Sequence, residues 1–135
     1  MAQAGPENEI ITKISPDSVQ ATVSRLTGLV DGKGMRLFAV IDQREEARRA
    51  GLDLRETVLV LFGSPAAGTP VMEAAPLAAL DLPLKVLIWA DGEQTKVSYN
   101  APEALAARYH LSHDLTGRLA GINTITDVLV TAPPA

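Results

Sequence analysis

The sequence predicts an α+β fold: one domain in which helices pack against a single mixed sheet that ends in an antiparallel hairpin. Three observations carry this. Apolar, β-rich runs alternate with helical periodicity along the chain, in the order β-α-β-α-β-α-β-β-α-α. The last two strand-like runs, 82–90 and 94–99, are joined only by Asp91-Gly92-Glu93, a turn that pairs them antiparallel and argues against a purely parallel sheet. The 135 residues contain no repeat, linker or low-complexity stretch, and a chain of that length buries roughly two-thirds of its unfolded surface.

The elements follow in order. Residues 1–8 lack a charged n-region and an apolar h-region, so they read as a mobile tail rather than a signal peptide. The domain then occupies 9–132. IITKI at 10–14 is a short strand. Ser15-Pro16-Asp17 is a helix start, with Ser15 as cap and Pro16 at the first helical position. Val19, Val23, Leu26 and Val30 recur at spacings of four, three and four, one helical stripe. Asp31-Gly32-Lys33-Gly34 closes that helix; it follows a helix and not a strand, so it is no dinucleotide fingerprint.

MRLFAVID at 35–42 is apolar enough for an interior strand. QREEARRA at 43–50 is helix-forming, with Gly51 as terminator. Its charges suit Glu45–Arg48, Glu45–Arg49 and Glu46–Arg49 pairs on a solvated face. TVLVLF at 57–62 has no polar alternation after Thr57, so both of its faces should be covered. Thr69 and Pro70 read as the start of a short helix over 69–80, interrupted at Pro76. LPLKVLIWA at 82–90 is apolar on both faces except at Lys85, whereas QTKVSY at 94–99 alternates, as a strand with one wet face does. PEALAARYH at 102–110 is a helix, and Ser112 caps a last helix to about Val130. Strands 36–42, 57–62 and 84–90 are the expected centre of the sheet.

Composition narrows function by exclusion. With 12 basic against 16 acidic residues, a net charge of −4 and 4% aromatics, the chain lacks the basic surface and stacking groups that nucleic acid requires. Without cysteine there is no disulfide, thiol catalysis or zinc–thiolate site, which fits a reducing cytoplasm. No apolar run approaches the ~20 residues of a membrane span. No cofactor motif is present.

The candidate site is the small-residue loop after strand 57–62. In the functional reading, the amides of 66–69 and the hydroxyls of Ser64 and Thr69 cradle an anion or polar metabolite at a helix start. Gly63, Ser64, Ala67, Gly68 and Thr69 form the loop; Gln43 and Lys85 complete the pocket if the sheet is ordered as expected. In the plainer reading, Gly63 and Gly68 provide positive φ, Pro65 stiffens the turn and Thr69 caps a helix. Lys85 with Asp81 or Tyr99 would serve a small hydrolase or lyase if its amine lies in a cleft, though a lysine so placed more often pairs with Asp81 or Asp42. His110, His113 and Asp114 are a weak metal grouping without an HExxH pattern. Trp89 belongs to the core or to a dimer interface. A third reading is a structural or interaction protein whose binding surface is its own dimer interface.

The blocks GMRLFAVIDQREEARRAGLDLRETVLVLFG (34–63), FGSPAAGTPVMEAAPLAALDLPLKVLIWAD (62–91) and VSYNAPEALAARYHL (97–111) together resemble the bacterial and archaeal domain of unknown function 302 family, over roughly 10–130. The resemblance implies a compact α+β fold that commonly forms homodimers, and no established activity. Where the family's block typically reads FGNPKAGTP, this chain has Ser64 for the amide and Ala66 for the lysine. Gln43 stands where the family often places a histidine.

Overall fold

Each apolar run becomes a strand, and the strands assemble into one five-stranded sheet in the order β1-β5-β4-β3-β2. The computed structural model describes residues 9–131; the tail expected over 1–8 and the last residues, 132–135, lie outside them. The strands are β1 (Ile10–Ser15), β2 (Arg36–Asp42), β3 (Thr57–Gly63), β4 (Leu84–Asp91) and β5 (Gln94–Asn100). The α+β class and the β4–β5 hairpin are as expected, with Gly92 at φ +62 in the turn. Every pairing is antiparallel, however, so the sheet is not mixed. β2 is also an edge strand rather than a central one, and the middle of the sheet is β4.

Helices α1 (Val19–Gly32) and α6 (Gly121–Val130) cover one face of the sheet. The α1 stripe buries Val19, Leu26 and Val30, together with Thr22. They meet Val58, Val60, Phe62, Val86, Ile88, Val97 and Tyr99 from the strands and Ile122, Ile125 and Leu129 from α6. The cap of α1 is Ser18, which accepts from the Ala21 amide, and not Ser15. Ser15 ends β1: its hydroxyl accepts from the Asp17 amide and meets the Thr22 hydroxyl at 2.7 Å. Pro16 therefore sits in a turn before the helix. Lys13 ties β1 to α6, donating to Thr126 Oγ1 and the Asn123 carbonyl and pairing with Asp127 at 2.7 Å.

A second, smaller core lies beyond the ends of β3 and β4. It joins α3 (Pro65–Ala74), a 3-10 segment (Pro76–Asp81), α4 (Pro102–Tyr109) and α5 (His113–Leu119) through Val71, Ala78, Leu105 and Leu119. The expected last helix is thus two, α5 and α6, with a break at Ala120. Helix α2 (Gln43–Arg49) carries all three expected Glu–Arg pairs on its exposed face.

The pleat sends alternate residues to the other face of the sheet. That face presents Leu59 and Leu61 of β3, Lys85, Leu87 and Trp89 of β4, and Ile10 and Ile14 of β1. None of them belongs to either core.

Candidate functional site

Where β3 ends, a cavity of about 230 Å³ opens between the sheet and the second core. Gly63 and Ser64 form one side, with Ala67, Gly68 and Met72 of α3 above them. Met35 and Phe38 enter from the start of β2, the 82–84 segment closes the back, and Arg118, Leu119 and Gly121 contribute from the α5–α6 junction. Phe38 reaches the cavity because β2 carries an irregularity between Leu37 and Ala39, which leaves one residue more than β3 can pair. Such a bulge re-aims a side chain. Gly68 keeps the wall thin: a Cβ there would sit 3.9 Å from Leu82 Cδ1 and Met72 Cε.

The cavity borders the small-residue loop, but its chemistry differs from an anion cradle. The helix begins at Pro65, five residues before Pro70, and its cap is Ser64. Ser64 Oγ accepts from the Ala67 amide at 3.3 Å. The Ala67 and Gly68 amides donate to the Ser64 carbonyl at 3.0 and 2.8 Å. These two donors are spent inside the helix and do not fan out over a ligand. Gly63 and Gly68 do not have positive φ either; Gly34, Gly51 and Gly92 do.

The predicted residues divide accordingly. Gly63, Ser64, Ala67 and Gly68 line the cavity, while exposed Thr69 does not. Gln43 opens α2 at the far end of β2: Arg36 pairs with Gly63 whereas Asp42 pairs with Val58, a separation of about 20 Å along the strand. Lys85 is next in sequence to the cavity residue Leu84 but points to the opposite sheet face, beside Leu61. The expected partners of Lys85 are engaged elsewhere. Asp81 accepts from Arg108 Nη1 at 3.0 Å and from the Tyr109 hydroxyl, and Asp42 caps α2. Among the described residues no carboxylate lies within ion-pair distance of the Lys85 amine. Tyr99 is buried on the helix side and donates to Asn123 Oδ1 at 2.7 Å. Lys85, Asp81 and Tyr99 therefore do not converge. His110 ends α4 in the left-handed conformation, φ +55.

Sequence reasoning missed Met35, Phe38, Met72 and Arg118. Nothing local marks them: they come from the start of β2, from α3 and from α5, spread over more than half the chain. Among the described residues Arg118 is the one charged group at the cavity. Its Nε lies 3.7 Å from Asp114 Oδ2, a carboxylate 84% exposed, so the guanidinium is only loosely held and can turn toward a ligand. The site is an apolar hollow with Ser64 and Arg118 as its polar points, suited to a small apolar body that ends in an acid.

Comparison with known proteins places the chain. The family described as Domain of unknown function DUF302 matches residues 11–129. The crystal structure of an uncharacterised conserved DUF302 protein from Bacillus stearothermophilus has the same fold, with a TM-score of 0.76 over 90% of this chain and 94% of that one at 19% identity. Proteins of Brucella suis and Brucella abortus named "Fluoride-specific ion channel FluC 1" are each 34% identical over 125 residues, which is 89% of this chain. The matched stretch is 49% and 46% of their lengths, so the chain spans about half of the curated relatives it matches. Among the described residues no helix is long and apolar enough to cross a membrane. The chain belongs to the DUF302 family.

Proposed function

We propose that this DUF302 member is a homodimeric small-ligand binding module, and that its ligand is a small apolar molecule carrying one acidic group. The observation that carries the reading is the cavity between β3, α3 and the α5–α6 junction, apolar except for Ser64 and Arg118. A cavity of about 150 Å³ lined by aliphatic and aromatic side chains holds benzene. The roughly 230 Å³ here suits a substituted ring or a short acyl chain. Arg118 supplies the charge-assisted contact that fixes orientation. This narrows the anion or polar metabolite expected from the sequence to an amphiphilic acid. Lys85 and Gln43 have no part in it. A cytoplasmic setting, suggested by the absence of cysteine, is compatible with such a ligand.

The Brucella relatives favour a companion role. Their name describes chains about twice as long as the matched stretch. We infer that the DUF302 part of such a chain binds or senses while another part conducts.

Methionine-methyl NMR tests the ligand reading. The chain has three methionines, and two of them, Met35 and Met72, line the cavity. Titration with benzoate and hexanoate should shift both signals, and inorganic phosphate should shift neither. Arg118→Gln should weaken carboxylate binding about tenfold, the loss of one hydrogen bond to a charged group. Both methyls unmoved at millimolar carboxylate would count decisively against the proposal.

A further inference from the structure

The uncovered sheet face has a pattern that selects one partner and one way of docking it. β3 and β4 are apolar on both faces, a composition typical of strands covered on both sides, yet α1 and α6 cover only one. On the open side the middle strand reads Lys85, Leu87, Trp89, Asp91, a cation and an anion flanking two apolar residues. Asp91 is the only carboxylate among the strand residues that point this way. Lys85, near the other end of the same strand, has no acidic partner among the described residues.

Building on the self-association in the proposed function, we propose that this face packs on a second copy about a two-fold axis that crosses β4 at residue 88 and lies perpendicular to the strand. Each Lys85 then faces the partner's Asp91, and Leu87 stacks on the partner's Trp89. A two-fold running parallel to β4 would instead set Lys85 on Lys85 and Asp91 on Asp91, a costly like-charge arrangement in an apolar interface. Asp91 has capacity for the incoming amine. Its Oδ2 is taken by Lys96 at 2.6 Å, but its Oδ1 has only Arg55 at 3.9 Å. Trp89 is pre-oriented: its indole N–H donates to Ser98 Oγ at 3.0 Å, and the Lys96 ammonium lies 5.5 Å from the ring centre. Five strands about 4.8 Å apart and about 20 Å long make a projected footprint of roughly 480 Å², smaller than the roughly 800 Å² per partner of a standard interface, so the charge register and not the area selects the partner. The competing surface, the β2 edge with exposed Leu37, Phe38 and Val40, is blunted by its bulge.

The test exploits the lack of native cysteine. Lys85→Cys and Asp91→Cys chains are treated with a short bifunctional thiol crosslinker, separately and mixed, while sedimentation gives the oligomeric state of the unmodified chain. The mixture should crosslink at least about tenfold faster than either chain alone. As a second readout, Lys85→Glu should weaken the dimer about tenfold, and adding Asp91→Lys should restore it. Self-crosslinking of Lys85→Cys alone would establish the parallel axis and overturn the register. A dimer that neither crosslinks nor responds to charge reversal would overturn the surface while leaving self-association intact. A chain that sediments as a monomer at high concentration would overturn self-association itself.

Discussion

The helix-covered side of the sheet carries Val58, Val60, Phe62, Val86, Ile88 and Val97, each 3% exposed or less, while the reverse side of the same strands carries Leu59, Leu61, Leu87 and Trp89, all partly exposed. Neighbouring residues of one strand thus have similar hydrophobicity and opposite surroundings. On the covered side, burial contributes to folding of a single chain. On the open side, the same apolar area contributes only when something else covers it, so its energetics belong to association. β5 makes the contrast within one strand: Val97 and Tyr99 enter the core, while Ser98 on the other side accepts from Trp89 and meets the Thr12 hydroxyl at 2.9 Å.

Mutations that separate the two sides are the strongest way to break this comparison. Phe62→Ala removes a ring that is 0% exposed and should destabilise the fold by about 3–5 kcal/mol in urea titration. Its neighbour Leu61→Ala should cost less than about 1 kcal/mol at concentrations where the chain is monomeric. Equal losses at the two positions would mean that the open face is part of the monomer's own core.

Next in size is the tie at the β1 edge. Lys13→Met removes the Asp127 pair and two hydrogen bonds, and should cost about 1–2 kcal/mol. Burial alone would lower the Lys13 pKa, but the Asp127 carboxylate and Tyr99 together raise it above the ordinary lysine value. With the folded value above the unfolded one, near ~10.4, the contribution is complete below that pH and fades as pH rises through the folded value. Stability measured across that alkaline window should fall more steeply in the unmodified chain than in Lys13→Met.

The smallest effect sharpens the reading of the cavity wall. Gly68 lies within α3 without positive φ, and a Cβ there meets only ordinary contacts at 3.9 Å. Gly68→Ala should therefore raise stability by about 0.5–1 kcal/mol, while Gly68→Leu should fill the cavity and abolish the response of Met35 and Met72 to carboxylates.

Periodicity and turn chemistry made most elements legible in the sequence. The α1 stripe, the β4–β5 turn and the Glu–Arg pairs of α2 are local patterns, and all occur. Two helix starts slipped because the chain offers competing signals. Ser15-Pro16 resembles a cap, but its hydroxyl serves a turn and Thr22. Ser64-Pro65 is as good a start as Thr69-Pro70, and α3 tolerates Pro70 inside it. The strand order rests on pairings such as Ile10 with Asn100, which no local pattern encodes, so the mixed sheet and a central β2 were both wrong. The small residues after β3 that border the cavity were legible. Its other walls were not, since Phe38 arrives through a bulge and Arg118 from the break between α5 and α6. Hydrophobicity on both sides of β3 and β4 was legible, but the monomer leaves one side uncovered.

Sedimentation of the unmodified chain beside Leu87→Lys tests the central claim most directly. The account predicts a dimer for the former and a monomer with an unchanged circular dichroism spectrum for the latter, because the lysine enters a face that only a second copy covers. Identical sedimentation of the two chains would contradict it, as would loss of the folded spectrum in the variant.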